Sequence, residues 1–257
     1  MSGTEQAPPC FACDGTMEVF DTTIVMGSYD ATYHRCTSCG MVAALDTPWL
    51  EEAYMSPIHD ADAGLLRRAR RYSQISSMVI RFEGLSGRFL DWAGGYGVLA
   101  QVMREKGHDF WHHDAYAEPV FARAYRDEGE GPLGLVTAFE VLEHLAAPKQ
   151  ELAEVAARTD HFLFTTELLP EPAPKLDEWW YYWPEVGQHI SLHTVASLRS
   201  IGETLGFELT SNGRNWHLWH RRPLDPRTRL LLSATLNKRA RTVRDTVHHT
   251  RMRLRNR

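Results

Sequence analysis

The chain has 257 residues, 43% hydrophobic and 24% charged, a balance that fits a soluble globular protein with one large domain and a small one. No apolar run approaches the roughly 20 residues that span a bilayer, and Met1–Pro9 lacks the apolar stretch of a secretory leader, so the expectation is a cytoplasmic protein without an integral membrane segment. The net charge of −5 conceals a basic C-terminus: residues 221–257 hold twelve of the 28 Lys and Arg and only two acids, and the acidic remainder argues against a nucleic-acid binder as a whole.

All four cysteines lie in two CxxC pairs, Cys10–Cys13 and Cys36–Cys39, with 22 residues between them. A cytoplasmic chain does not normally hold such pairs as structural disulfides. Four thiolates close tetrahedrally on zinc and leave no open coordination position, so a metal there is structural rather than catalytic. Gly15 and Gly40 follow the pairs where tight turns are needed, and Glu18–Phe20, Thr22–Val25 and Thr32–His34 read as short strands. Residues 1–47 are therefore expected to form a small N-terminal zinc ribbon that needs its ion to stay folded. The competing reading is a set of buried or redox-active thiols.

Residues 48–87 read as a helical connector. Next come Arg88-Phe-Leu-Asp91-Trp-Ala93-Gly94-Gly95-Tyr-Gly97-Val-Leu-Ala100, a buried strand, a glycine turn and a helix to about Lys106. The next strand, Asp109–His113, ends at Asp114, 17 residues past Gly97, where ribose hydroxyls need an acceptor. A glycine turn at a helix N-terminus suits an anionic group, and Gly95-x-Gly97-x-x-Ala100 also satisfies the dinucleotide fingerprint. On these residues alone an NAD-type and a methyl-donor cofactor both remain open.

Asp91-x-Ala93-x-Gly95-x-Gly97 resembles motif I of class I S-adenosylmethionine-dependent methyltransferases, and Leu135-Val-Thr-Ala-Phe-Glu140-Val-Leu-Glu143-His144-Leu resembles their fourth-strand motif. Dehydrogenases carry no counterpart to the second segment. The resemblance covers Arg88 to Trp219 and implies an α/β fold, a Rossmann-like doubly wound, mainly parallel sheet of seven strands over residues 88–220. Later strands would be Leu133–Phe139, His161–Thr166, Phe207–Asn212 and Asn215–His220, with helices at Pro148–Arg158 and Thr194–Leu205. It further implies that Asp91, Ala93, Gly94, Gly95 and Gly97 face the methionine end of the cofactor. Asp114 would accept the ribose hydroxyls, Tyr116 would flank the adenine, and Glu140 would anchor the pocket. Two departures stand out: Ala93 replaces the first glycine, and only about 20 residues separate Asp114 from the fourth-strand segment, so the third strand is short or missing. With the cysteine pairs and the Tyr54 segment ahead of this domain, the order is similar to sugar methyltransferases of deoxysugar and cell-surface polysaccharide pathways.

Methyl transfer from a sulfonium needs in-line positioning of the acceptor and a base for its proton. His144 and His189 are the candidate bases, with Glu143 beside them. Glu140-x-x-Glu143-His144 with a later histidine is similar to a segment that binds Mg²⁺ in ubiquinone-pathway and small-RNA 2′-O-methyltransferases, so a divalent ion acidifying an acceptor hydroxyl is one reading and an anchor for the cofactor pocket is the other. His189 lies in Gly187-Gln-His189-Ile, after a predicted strand and the run Trp179-Trp-Tyr-Tyr-Trp183, five aromatics that serve either as a core plug or as the wall of a ring-binding site. His193 is expected to enter a helix capped by Thr194, and His112, His113, His248 and His249 are read as structural or solvent-exposed.

The expectation is O-methylation of a small-molecule, sugar or glycan-linked acceptor. The alternatives are a methyltransferase acting on RNA or protein, and a catalytically silent zinc-ribbon binding protein that keeps the fold. Residues 221–257 read as a basic helical tail that packs on the acidic body or contacts an anionic surface or a second subunit.

Overall fold

In the computed structural model, which describes residues 7–55 and 64–233, one chain builds two sheets. In order these are β1 (Met17–Val25), β2 (Tyr29–Cys36), β3 (Val42–Ala44), α1 (Leu50–Tyr54), α2 (Leu65–Glu83), β4 (Phe89–Trp92), α3 (Val98–Glu105), β5 (Phe110–His113) and β6 (Leu135–Phe139). A single 3-10 turn at Leu142–His144 precedes α4 (Pro148–Glu151), α5 (Ala153–Ala157), β7 (His161–Thr165), β8 (Ser191–Leu192), α6 (Val195–Thr204), β9 (Glu208–Ser211), β10 (Trp216–His220) and α7 (Pro226–Leu231).

The larger sheet has the order β5-β4-β6-β7-β10-β9. The first four strands pair in parallel, and β10 runs antiparallel to both neighbours. Alternation along β7 sends Leu163 to one face, with Val79, Ile80, Leu99 and Met103, and Phe162 and Phe164 to the other, with Leu152, Leu198, Ile201 and Trp219. Helices thus cover both faces, as in a doubly wound α/β domain. This is a Rossmann-like doubly wound fold, as the motif resemblance implies.

Among the described residues the sheet has six strands, not the expected seven. The 20 residues between Asp114 and β6 leave no room for a further parallel strand, since reaching it from β5 and returning to β6 takes two crossovers of about a dozen residues or more each. What stands beside β5 is one parallel bridge from His112 to Arg126, framed by His112 N–H to the Tyr125 carbonyl and Asp127 N–H to the His112 carbonyl, both 2.9 Å. The expected helix over 148–158 divides into α4 and α5 at Leu152.

The smaller sheet, β1-β2-β3-β8, is antiparallel throughout and takes its last strand from far along the chain: Val42 pairs with Leu192 and Ala43 with Ser191. A third core joins Tyr33, Val42 and Trp49 to Tyr181, Tyr182, Ile190 and Leu192. Residues 7–47 therefore do not pack as a separate unit; they share a core with the segment that carries His189. Of the basic tail, α7 lies within the described residues, and 234–257 fall outside them.

Candidate active site

The glycine turn is built around Asp91. Its side chain is buried in β4, accepts a hydrogen bond from the Thr137 hydroxyl at 2.9 Å, and leaves no room for a side chain at position 94: a Cβ on Gly94 would lie 2.6 Å from Asp91 Oδ2. Gly97 adopts φ 79° as it starts α3, and a Cβ there would meet the Phe121 carbonyl oxygen at 2.4 Å. Ala93, where the motif has glycine, sits at φ 55°, a left-handed conformation that costs a non-glycine residue roughly 1–2 kcal/mol. Burial raises the Asp91 carboxyl to about 7, against the opposing bond from Thr137.

Asp114 caps the neighbouring loop. Oδ2 accepts the Gly95 N–H at 2.8 Å, and Oδ1 accepts those of Tyr116 and Ala117 at 2.8 and 2.7 Å. Three of about four lone-pair positions are thus taken by backbone N–H groups. The Tyr116 ring is exposed and stacks on Tyr54 of α1, with centroids 4.6 Å apart and planes 10° apart. Glu140 follows β6 at φ 58°, its Oε1 accepting a hydrogen bond from the Thr165 hydroxyl at 2.8 Å.

Beyond Glu140 the chain turns sharply and buries Glu143 completely. The structure brings together Glu143, His144 and His189: one ligand atom of each lies within 4.8 Å of the others, and the two imidazoles meet edge to face at 5.0 Å. Glu143 Oε2 and His144 Nδ1 are buried without a hydrogen-bond partner. His189 Nδ1 donates to the Tyr181 carbonyl at 2.5 Å, so its Nε2 carries the lone pair. Burial, followed by the Glu140 charge, pushes Glu143 up to about 8. Burial, followed by the neighbouring His189, holds His144 down to about 3. His189 is lowered by burial, against the Tyr181 carbonyl and Glu140. Both rings are neutral near pH 7.

The small sheet holds this segment in place. Tyr33 donates to the His189 carbonyl at 3.2 Å, Trp49 Nε1 to the Gly187 carbonyl at 2.8 Å, the Ala44 N–H to the Ile190 carbonyl at 2.9 Å, and Gln188 to the Ala53 carbonyl at 2.8 Å. Thr194, which caps α6 as expected, donates its hydroxyl to the Cys39 carbonyl at 2.6 Å. His193 is wholly buried and bonds the Leu142 carbonyl through Nε2 at 3.1 Å. His112 is also buried, and His113 is partly so, whereas His248 and His249 lie outside the described residues. In the aromatic run Tyr181 and Tyr182 are core while Trp183 is 40% exposed and faces His189 at 5.9 Å. Sequence reasoning missed Tyr33, Trp49, Thr137, Thr165 and Tyr181 as partners of the site, and only the aromatic run gave any signal for one of them.

The four cysteine sulfurs lie within 4.8 Å of one another, with Cys10–Cys39 at 3.7 Å and Cys13–Cys36 at 3.5 Å. A disulfide would need about 2.05 Å, whereas a tetrahedron with metal–sulfur bonds near 2.3 Å has edges of about 3.8 Å. The set fits one tetrahedral ion.

The chain runs from β4 to β5 on one side and then crosses to β6 on the other, the strand-order reversal at whose C-terminal ends doubly wound domains bind ligands. A family model described as a methyltransferase domain matches residues 66–212. The chain belongs to this family and is a class I S-adenosylmethionine-dependent methyltransferase. Among solved structures, its fold is similar to magnesium protoporphyrin IX methyltransferase from Synechocystis with bound SAH, at 17% identity over 63% of this chain and 85% of that one, with a TM-score of 0.42. Streptomyces venezuelae DesVI is similar at 12% identity over 64% and 99%, TM-score 0.46. An O-methyltransferase family protein from Burkholderia thailandensis is similar at 14% identity over 68% and 67%, TM-score 0.45. No curated protein matches the chain.

Proposed function

We propose that this enzyme methylates an oxygen of a small-molecule, sugar or glycan-linked acceptor, with His189 as the general base. The observation that carries the reading is the His189–Tyr181 bond: a carbonyl can only accept, so the ring presents an unprotonated Nε2 beside His144 at the mouth of the sheet. In this reading Asp91 and the Gly94–Gly97 turn bind the methionine end of the cofactor, and Asp114, Tyr116 and Glu140 hold its nucleoside. Bound S-adenosylmethionine supplies an electrophilic methyl group on a sulfonium. His189 takes the acceptor proton as the oxygen attacks, and neutral His144 adds no opposing charge. The exposed ring of Trp183 beside His189 gives a ring-bearing acceptor a face to rest on. Replacing His189 with Ala is expected to lower turnover at least about 100-fold while S-adenosylhomocysteine still binds; turnover near the wild-type rate would defeat the assignment.

The unpartnered atoms of Glu143 and His144 support a second reading, in which Glu143, His144 and His189 hold a divalent ion such as Mg²⁺. Bonds of about 2.1 Å would require the trio to close to about 4.2 Å or less. Such an ion would acidify the acceptor hydroxyl. Activity that survives EDTA and does not respond to added Mg²⁺ or Mn²⁺ removes this reading.

For Cys10, Cys13, Cys36 and Cys39 the proposed occupant is a structural zinc, supported by the tetrahedral fit of their sulfurs. We also propose a cytoplasmic setting, and contact of the basic tail with an anionic surface or a second subunit.

A further inference from the structure

Tyr181 touches both Glu143 and His189 through hydrogen bonds, and it does so with two different groups. Its hydroxyl donates to Glu143 Oε1 at 2.5 Å and accepts the Glu167 N–H at 3.1 Å, while its main-chain carbonyl accepts from His189 Nδ1 at 2.5 Å. Its ring is 1% exposed, lies 4.5 Å from the His189 ring, and is packed by Trp179 and Trp180 at 5.3 and 5.1 Å. The residue therefore has no freedom to turn away. Glu143 cannot rotate without breaking a buried bond, and His189 cannot change tautomer without facing a carbonyl with a lone pair.

We propose that Tyr181 is a positioning residue for methyl transfer: its hydroxyl fixes the Glu143 carboxyl, and its carbonyl fixes His189 in the Nδ1–H tautomer with Nε2 directed at the acceptor. The proposal rests on the reading of His189 as base. It assigns a use to one member of the aromatic run that neither a core plug nor a ring-binding wall provides. The neighbouring tyrosine makes the contrast: Tyr182 is as deeply buried, yet its hydroxyl donates to the Pro174 carbonyl at 2.8 Å and reaches neither group.

The hydroxyl is tested by Tyr181→Phe, which keeps the ring and its packing. Rates are expressed per site titrated with S-adenosylhomocysteine, so that a loss of folded protein does not register. The expectation is a fall in kcat of about 10–100-fold, the usual effect of losing a group that orients a functional residue, with KM for the cofactor within about twofold. Because the hydroxyl acts through Glu143, Tyr181→Phe added to Glu143→Gln should cost little beyond Glu143→Gln alone. An unchanged kcat per binding site, or fully additive losses, would overturn this half.

The carbonyl is tested in the wild-type protein by nitrogen-15 NMR of the histidine rings. A proton on His189 Nδ1 is expected, and a proton on Nε2 would overturn the other half even where Tyr181→Phe fails to fold. Failure of the base assignment is distinguishable: His189→Ala would then keep its turnover whatever the Tyr181 results.

Discussion

At the scale of single residues, Asp91 and Ala93 carry the most physical information. Asp91 is ionised in the unfolded chain above about pH 4 but is raised to about 7 by burial in the fold. Below pH 4 it is protonated in both states. Between there and about 7 only the unfolded state ionises, so the contribution to stability falls as pH rises through that window, and the full cost persists above it. With the cofactor ammonium facing Asp91 as proposed, binding requires the ionised acid. S-adenosylhomocysteine should therefore bind roughly 25-fold more weakly at pH 5.5 than at pH 7.5, and Asp91→Asn should flatten that dependence. An affinity that strengthens on acidification would contradict the role. Asp91 was legible in the sequence because its neighbours, Gly94 and Gly97, are residues whose side-chain volume the fold cannot tolerate. Ala93 was legible only as a departure; its positive φ shows why the motif prefers glycine there.

At the scale of elements, most of the larger sheet could be read from buried apolar runs bounded by glycine, and strands β4 to β7 fall within a residue or two of their expected positions. The site did not yield so readily. Strand β8 has only two residues, and its partners in β3 lie about 150 positions earlier; no periodicity exists over two residues, and no local rule pairs segments so distant. The consequence is mechanical. Cys39 bonds Thr194, Tyr33 bonds His189, and β3 pairs with β8, so the cysteine cluster braces the segment that carries the proposed base. Removing the proposed zinc with a strong chelator should raise amide exchange over residues 187–194 together with 36–44, while β4 and α3 stay protected. Exchange over 187–194 that ignores the metal would show the two are uncoupled.

At the scale of the whole molecule, two halves meet at one edge of the six-stranded sheet. The glycine turn after β4 and the Asp114 loop after β5 make up the proposed cofactor side, and the Glu140–His144 turn with the excursion after β7 the proposed acceptor side. The chain leaves β10 at the opposite edge, where His220 pairs with His161 and the Asp225 N–H reaches Glu83 at 3.0 Å. The described start of the basic tail is thus remote from His189. The division of labour between the two halves makes the central claim testable by calorimetric titration of S-adenosylhomocysteine into two variants. Gly94→Ala, whose new Cβ would press on Asp91, should weaken binding by about 5- to 150-fold, an overpacking cost of about 1–3 kcal/mol, whereas His189→Ala should bind like the wild type and lose at least about 100-fold in turnover. Binding that is lost in His189→Ala and intact in Gly94→Ala would contradict the account.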